Sequence, residues 1–535
     1  MKQQELIEVA TRIDKALAAN KLSQAKQLAK KLVSANRSAG LAYLGVVALR
    51  EEKLDECERV LLESYSINNA QNLALANLIP LYMKKRDFGK AIAYGEQAFA
   101  RMPQNKSVTI NYAAALLQEQ QYTKVIEILN PLLDLEKPNV SIVSGLISAY
   151  RSTFRYDKAK ELLAIADTHF PDHQDVARLK ADTFAESDPF AALESFKRAL
   201  EIRPDNVPTL WNMSLVQLRT GDFNGGWINY DHGLSHEVGK IGRPLPKLFQ
   251  GTPVITDLKN LDKEKWTFAT CEQGIGDQIL FLGSLPQLHA DFPKLALICE
   301  RRMAPILARS FPAIPMYEYG LGPMLAYNPS IVNGIVPIGS IQKYYRNSRE
   351  AYLEHRQAYL VPNAGKVERY RDALLQKVGG RKLIGFSWKG GYWERSQKTK
   401  TLEIELWDPL FQEHPDCIFV CLQYGEVAKE KEYLTKKYKN VRFIDGIDFK
   451  KDLDSWHALA CACHEIVSVS TALVHFAGAS GVRIHLLLSE KGAPFIWQLE
   501  GEEAICYPNV SIYRKRVEQT ASDFFNGVAR KMRAI

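Results

Sequence analysis

Two stretches of the chain carry residue types able to do group-transfer chemistry. The first is Cys271-Glu-Gln-Gly-Ile-Gly-Asp-Gln278. An apolar run, Trp266–Thr270, precedes it and reads as a buried strand, and 279–285 reads as the helix that follows. A strand, a turn with two glycines and a helix aim backbone N–H groups at a ligand. Gly274 and Gly276 permit the sharp turn and a close backbone approach, with Gln273 on the same loop. Asp277 is either a general base or a first-turn charge favoured by the helix dipole. The dinucleotide fingerprint is not met, because its third glycine is missing at the required offset.

The second stretch begins with a strand at 382–387 and runs into a loop over 388–401. That loop holds two glycines, two tryptophans and the cations Lys389, Arg395, Lys398 and Lys400. A glycine-rich basic loop at a strand end suits a diphosphate, although a solvated surface loop has the same composition. Gln423 and Gly425 stand at the end of another strand-like run, 417–422. Ser470 and Thr471 follow a strand at 465–469 and head a helix over 471–479. Either hydroxyl can cap that helix, whose amino end attracts an anion. His475, one turn later, suits a core position as well as a ligand contact.

These residues need a framework, and the chain shows two kinds. Ala91 and Pro103, Ala159 and Pro171, and Ala192 and Pro204 share one spacing, with Ala98, Ala166 and Ala199 at a fixed place between them. Tyr82 and Tyr150 stand at one offset before the first two of these alanines. A period of ~34 residues with small residues at the helix crossing and a closing proline is the tetratricopeptide signature. Leu44-Gly45 with Cys57 and Leu61 reads as an earlier copy, 125–129 as another, and 207–230 as the last pair. After Arg243-Pro-Leu-Pro-Lys247 the helical period gives way to alternating strands and helices. Strands are expected at 266–270, 295–299, 382–387, 417–422, 441–444, 465–469 and 483–488, in two parallel sheets separated near Gly379-Gly380. Ligands bind at the carboxyl ends of such strands.

Composition narrows the function classes. Lys and Arg total 69 against 61 Asp and Glu, a net charge of +8 that does not imply nucleic acid. The first residues carry acids where a secretory signal would be apolar, and no apolar run approaches the ~18 residues of a spanning helix. The eight cysteines lack zinc-site spacing and read as buried thiols, which fits a reducing cytoplasm. Asp452 and Asp454 have Asp-x-Asp spacing but precede a helix and read as its cap, so no metal site is expected.

Glu272-Gln-Gly-Ile-Gly-Asp-Gln-Ile-Leu-Phe281, Gly385-Phe-Ser-Trp-Lys-Gly390 and 467–478 resemble a family of bacterial tetratricopeptide-repeat glycosyltransferases. Their catalytic half is similar to the lipopolysaccharide heptosyltransferases. Their overall design resembles the O-linked N-acetylglucosamine transferases, in which repeats are fused to a GT-B region. Gly226-Trp-Ile-Asn-Tyr230 matches the family's linker pattern, and the resemblance runs from about residue 40 to the carboxyl terminus.

The resemblance implies an α-solenoid over 1–237, a first Rossmann-like lobe over 238–365 and a nucleotide-sugar-binding lobe over 366–535. It implies Asp277 as catalytic base, with Gln273, Gly274 and Gly276 on the acceptor side. The donor falls to Lys389, Lys400, Gln423, Ser470, Thr471, Ala472 and His475. It also implies that the helix near 520–531 crosses back to the first lobe. The expected enzyme is a cytoplasmic, metal-independent glycosyltransferase using a nucleotide sugar as substrate, with no separate cofactor. Its acceptor is a protein such as flagellin, held by the repeats; the alternatives are a lipid or polysaccharide acceptor, or a non-catalytic scaffold. Two departures stand out: the family has aspartate at Ser470, and a small hydroxyl residue or glycine at Ala472. Losing that carboxylate implies a different donor or reduced activity.

Overall fold

The computed structural model describes residues 3–235, 238, 242–245, 251–319, 327–376, 381–390, 400–489, 493–516 and 518–533. Arg395, Lys398, Gly379 and Gly380 lie outside the described residues, as do Pro246 and Lys247. The chain divides into two compact units, Met1–Thr183 and Phe184–Ile535.

The first unit is a row of antiparallel helix pairs, among them Arg37–Arg50 with Leu54–Ile67, Asn72–Lys84 with Phe88–Arg101, and Val140–Ser152 with Tyr156–His169. From Arg37–Arg50 through Val140–Ser152, the first helix of each pair also packs on the first helix of the next. The marker alanines Ala91, Ala98, Ala159 and Ala166 are fully buried, because only a methyl fits where the helices cross. The turn inside each pair carries a left-handed residue: Asn20, Glu52, Arg86, Gln120 and Phe154. This recurrence at ~34 residues shows the repeat in the backbone itself. Pro103 and Pro171 follow their helices by two residues, where proline cannot extend them. The helical pattern begins at Gln3, well before the earliest copy read from the sequence.

The second unit opens with helices Pro189–Ile202, Val207–Thr220 and Phe223–Tyr230. Two parallel sheets follow. The first contains β1 (Trp266–Thr270), β2 (Leu295–Cys299), β3 (Met316–Glu318) and β4 (Val332–Pro337), in the order β3-β2-β1-β4. The second contains β5 (Lys382–Ser387), β6 (Cys417–Cys421), β7 (Val441–Arg442), β8 (Glu465–Val469), β9 (Arg483–Leu488) and β10 (Val510–Arg514), in the order β10-β9-β8-β5-β6-β7. β3, β4 and β10 are additions to the strands expected from sequence. β4 contains Gly334 and ends on Pro337, both of which read as breakers. Gly334 is needed because Pro253 O would lie 2.5 Å from a Cβ there.

Trp211, Trp227 and Tyr230 of the last helix pair share one core with Phe281 and Leu297 beside the first sheet. Trp227 meets Tyr230, Phe281 and Phe495 edge-on, at 4.9, 5.8 and 5.6 Å between ring centres. This packing makes the last pair part of the sheet-bearing unit. The final helix, Ala521–Arg533, corrects one expectation. It stays with the second sheet, burying Phe524, Phe525 and Val528 against Trp407 and Phe411, rather than crossing back to the first. Among the described residues no helix is long and apolar enough to cross a membrane, and no group of His, Cys, Asp and Glu could hold a metal ion. The eight cysteines are free, and all but Cys417 are buried.

Candidate functional site

The helix after β1 starts earlier than its apolar run suggests, at Ile275 rather than Ile279, and ends at Leu282. Gly274 is its N-cap, so Asp277 falls in the first turn. The turn depends on Gln273, whose φ of +67° is left-handed. For a residue with a Cβ this costs roughly 1–2 kcal/mol and must be held by its surroundings. Tyr230 does so from one side, its hydroxyl donating to Gln273 Oε1 at 2.6 Å. Gln278 Nε2 does so from the other, donating to Gln273 O at 3.0 Å.

The helix after β8, Ala472–Ala479, packs against this turn and the helix it opens. A Cβ on Gly276 would lie 2.9 Å from His475 Cδ2 and 3.7 Å from Ala472 Cα, so only glycine lets the two corners touch. Gly390, just after β5, packs on the same corner, where a Cβ would lie 2.7 Å from Thr471 Cγ2 and 3.1 Å from Ser470 O. Lys400 returns the chain to this point. A small opening lies beside it, lined by Leu402, Val469, Ser470, Leu488 and Pro494 among others.

Asp277, in the turn after β1, and Lys400, whose Cβ would lie 3.7 Å from a Cβ on Gly390, come to this corner from different sheets and influence one another electrostatically. Burial pushes the Asp277 carboxyl above its usual range, against the pull of the Lys400 ammonium and the Gly274 N–H. Burial pushes the Lys400 ammonium below its usual range, while Asp277 raises it. His475 stands next to them as a neutral imidazole, its pKa lowered to about 3 by burial and by Lys400. Its Nδ1 lies 3.1 Å from the Tyr507 hydroxyl, and its ring stacks on Trp497 at 5.3 Å.

Other expected site residues are engaged within the protein. Lys389 turns away: its ammonium pairs with Glu430 at 3.1 Å and donates to Glu426 O at 2.8 Å. Gln423 is a buried clamp, its Oε1 accepting from Ser387 Oγ, Trp388 N and Lys389 N at 2.9–3.1 Å. It holds the loop rather than presenting its amide to the cleft. Thr471 is the N-cap of its helix by position, yet no side-chain hydrogen bond caps it. Ser470 accepts instead from Trp497 Nε1 at 2.9 Å. The hydroxyl cap expected from sequence is thus not formed. Asp452 does cap its helix, accepting from Ser455 N at 2.9 Å.

The sequence reading passed over a buried charge cluster behind the glycine turn. Arg243 is fully buried and its Nη2 bonds Glu272 Oε1 at 2.7 Å and Ser340 Oγ at 3.0 Å. Its Nη1 bonds Asp231 at 3.1 Å, and Lys343 bonds the same carboxylate at 2.7 Å. Glu272 also accepts from Gly339 N at 3.0 Å. Glu272 therefore anchors the turn instead of serving as a free base. The only signal in the sequence was a lone arginine in a proline-rich stretch.

The described geometry defines a class: tetratricopeptide helices followed by parallel sheets whose strand ends gather a carboxylate, an ammonium and a neutral imidazole. Residues 82–148 match the tetratricopeptide repeat family. The chain is similar to Protein FlbA of Caulobacter vibrioides, with 29% identity over 311 residues covering 56% of this chain and 50% of FlbA. It spans about half the length of that curated relative. Among solved structures it is similar to a tetratricopeptide repeat protein from Parabacteroides merdae (14% identity, TM-score 0.35, 43% of this chain and 91% of that one). It is also similar to YrrB, a TPR protein with an unusual peptide-binding site (16% identity, TM-score 0.30, 35% of this chain and 98% of that one).

Proposed function

We propose that the protein is a glycosyltransferase that moves a sugar from a nucleotide-sugar donor to a hydroxyl of a protein acceptor engaged by the repeats. The observation that carries this reading is the packing of two turns on one corner: Gly276, next to Asp277, lies on Ala472 and His475, and Gly390, beside Lys400, lies on Ser470 and Thr471. Strand order supports it. Numbered within itself, the second sheet runs 3-2-1-4-5-6 and the first 3-2-1-4. That is the order of doubly wound nucleotide-binding sheets, and two such Rossmann-like lobes make a GT-B catalytic region. Tetratricopeptide repeats present grooves to peptides, which supports a protein acceptor.

In this reading the donor diphosphate lies by Lys400 and the amino end of Ala472–Ala479. The acceptor oxygen attacks the anomeric carbon and gives its proton to Asp277. The bond from that carbon to the phosphate oxygen breaks, and the electron pair leaves with the nucleotide. Lys400 balances the charge that develops there. Burial raises the Asp277 carboxyl above its usual range, the direction that makes a carboxylate a stronger base.

Two features favour a second reading, a non-catalytic scaffold: Ser470 is occupied by Trp497, and Lys389 by Glu430. A thermal-shift screen of nucleotides and nucleotide sugars separates the two, because a ligand at 100 times its Kd stabilises by about 2.7 kcal/mol. A nucleotide that stabilises the parent but not Lys400→Ala supports the transferase. No shift with any nucleotide sugar removes it. Transfer to a carrier lipid or polysaccharide but not to protein would reassign the acceptor.

A further inference from the structure

Tyr230 ends the last repeat helix, yet it lies against the glycine turn of the first sheet. Its ring is buried, and the Arg243 guanidinium lies over it at 4.8 Å. Arg243 pairs with Asp231, the next residue after Tyr230, and with Glu272, the residue before Gln273. The two segments are therefore riveted beside the point where Tyr230 touches Gln273. Burial keeps the phenol protonated, so it acts as a donor and fixes which end of the Gln273 amide faces it. Among the described hydrogen bonds, Gln273 is held in its left-handed conformation by Tyr230 on its side chain and by Gln278 on its carbonyl. The helix that carries Asp277 begins two residues later.

We propose that Tyr230 is a positioning residue for Asp277. Its hydroxyl keeps Gln273 left-handed, and that conformation sets the first turn, which carries the Asp277 carboxylate. The terminal repeat helix is thus a working part of the site as well as a tether. The catalytic meaning of this role rests on the proposed function; the control of the turn does not.

The test is Tyr230→Phe in the intact chain, which keeps the ring under Arg243 and removes only the hydroxyl. Hydrogen exchange of the 273–278 amides should quicken roughly fivefold, the equivalent of one neutral hydrogen bond, with helices Ala472–Ala479 and Phe88–Arg101 unchanged. Gln273→Gly relieves the backbone cost, so adding Tyr230→Phe to it should change exchange no further. In a transfer assay kcat should fall about tenfold with donor KM unchanged, the pattern of a lost transition-state interaction. Unchanged exchange at 273–278 overturns the proposal, as does uniform quickening across the chain, which marks general destabilisation. Localised quickening with kcat intact also overturns it. Localised quickening in a protein whose parent transfers no sugar leaves control of the turn standing and removes the transferase reading instead.

Discussion

The corners after β1 and β8 are built alike and held differently. Each is a strand, a short turn and a helix of eight residues, and the two touch at Gly276, Ala472 and His475. The first is held by charge: Arg243, Glu272, Asp231 and Lys343 lie behind it, and Gln273 carries backbone strain. The second is held by neutral groups: Trp497, Tyr507 and the unprotonated His475. The charge-held corner presents the acid, and the neutral corner offers helix N–H groups beside Lys400. A fixed charge behind the first corner holds its geometry without competing for Asp277.

The comparison breaks most severely at the acid. Asp277→Asn should keep fold and nucleotide binding while transfer falls by roughly 10²–10⁴, the usual size of a lost acid–base contribution. Turnover within about threefold of the parent would reduce Asp277 to a helix-dipole charge worth ~0.3–1 kcal/mol. Next comes the charge behind the corner. Arg243→Ala leaves Glu272 with an uncompensated buried charge, while Asp231 keeps Lys343, and should cost about 3–5 kcal/mol in urea unfolding. A cost below about 1 kcal/mol would show that water relaxes the cluster. Third, Lys400→Ala should weaken nucleotide binding by about 1.5–3 kcal/mol, the worth of one charge-assisted contact. Unchanged affinity in calorimetry would move the phosphate elsewhere.

The smallest effect sharpens the neutral corner. Burial, with Lys400 nearby, lowers the His475 pKa to about 3, against the ordinary imidazole value of 6.5 in the unfolded chain. The unfolded state therefore binds the proton first. The stability His475 contributes is fully present above pH 6.5 and is lost as pH falls toward about 3. The slope is at most about 1.4 kcal/mol per pH unit. His475→Gln should flatten the unfolding profile in that window. A variant with the parent's slope would assign the pH response to another buried group, first of all His457, whose pKa is also lowered, to about 4.

Much of the framework was legible in the sequence because it is written in short-range periods. Alanine and proline spacing marked the helix pairs, since close helix crossing and helix termination are local requirements. β1, β2, β5, β8 and β9 matched their apolar runs to the residue, because strands covered on both faces admit little else. The strands not expected from sequence, β3, β4 and β10, all lie at sheet edges, where burial on both faces does not write a continuous apolar run.

The site divides in the same way. Two glycine turns, an acid in the first and cations after the second strand group could all be read from residue types. Which polar head faces the cleft could not. Lys389 and Lys400 look alike in the loop, but Glu430 pairs with one, and the other is desolvated with only the electrostatic pull of Asp277 from a different sheet. Gln423 looked like a ligand contact and is a clamp, because three donors from the β5 exit converge on its oxygen. The sequence by itself determined the periods, the turns and the supply of charged groups, which depend on neighbours a few residues away. Tertiary structure decided which charges are neutralised, which are desolvated and which are left to act. Burial and Coulomb interaction depend on distance in space, and the partners here come from separate strands and from the last repeat helix.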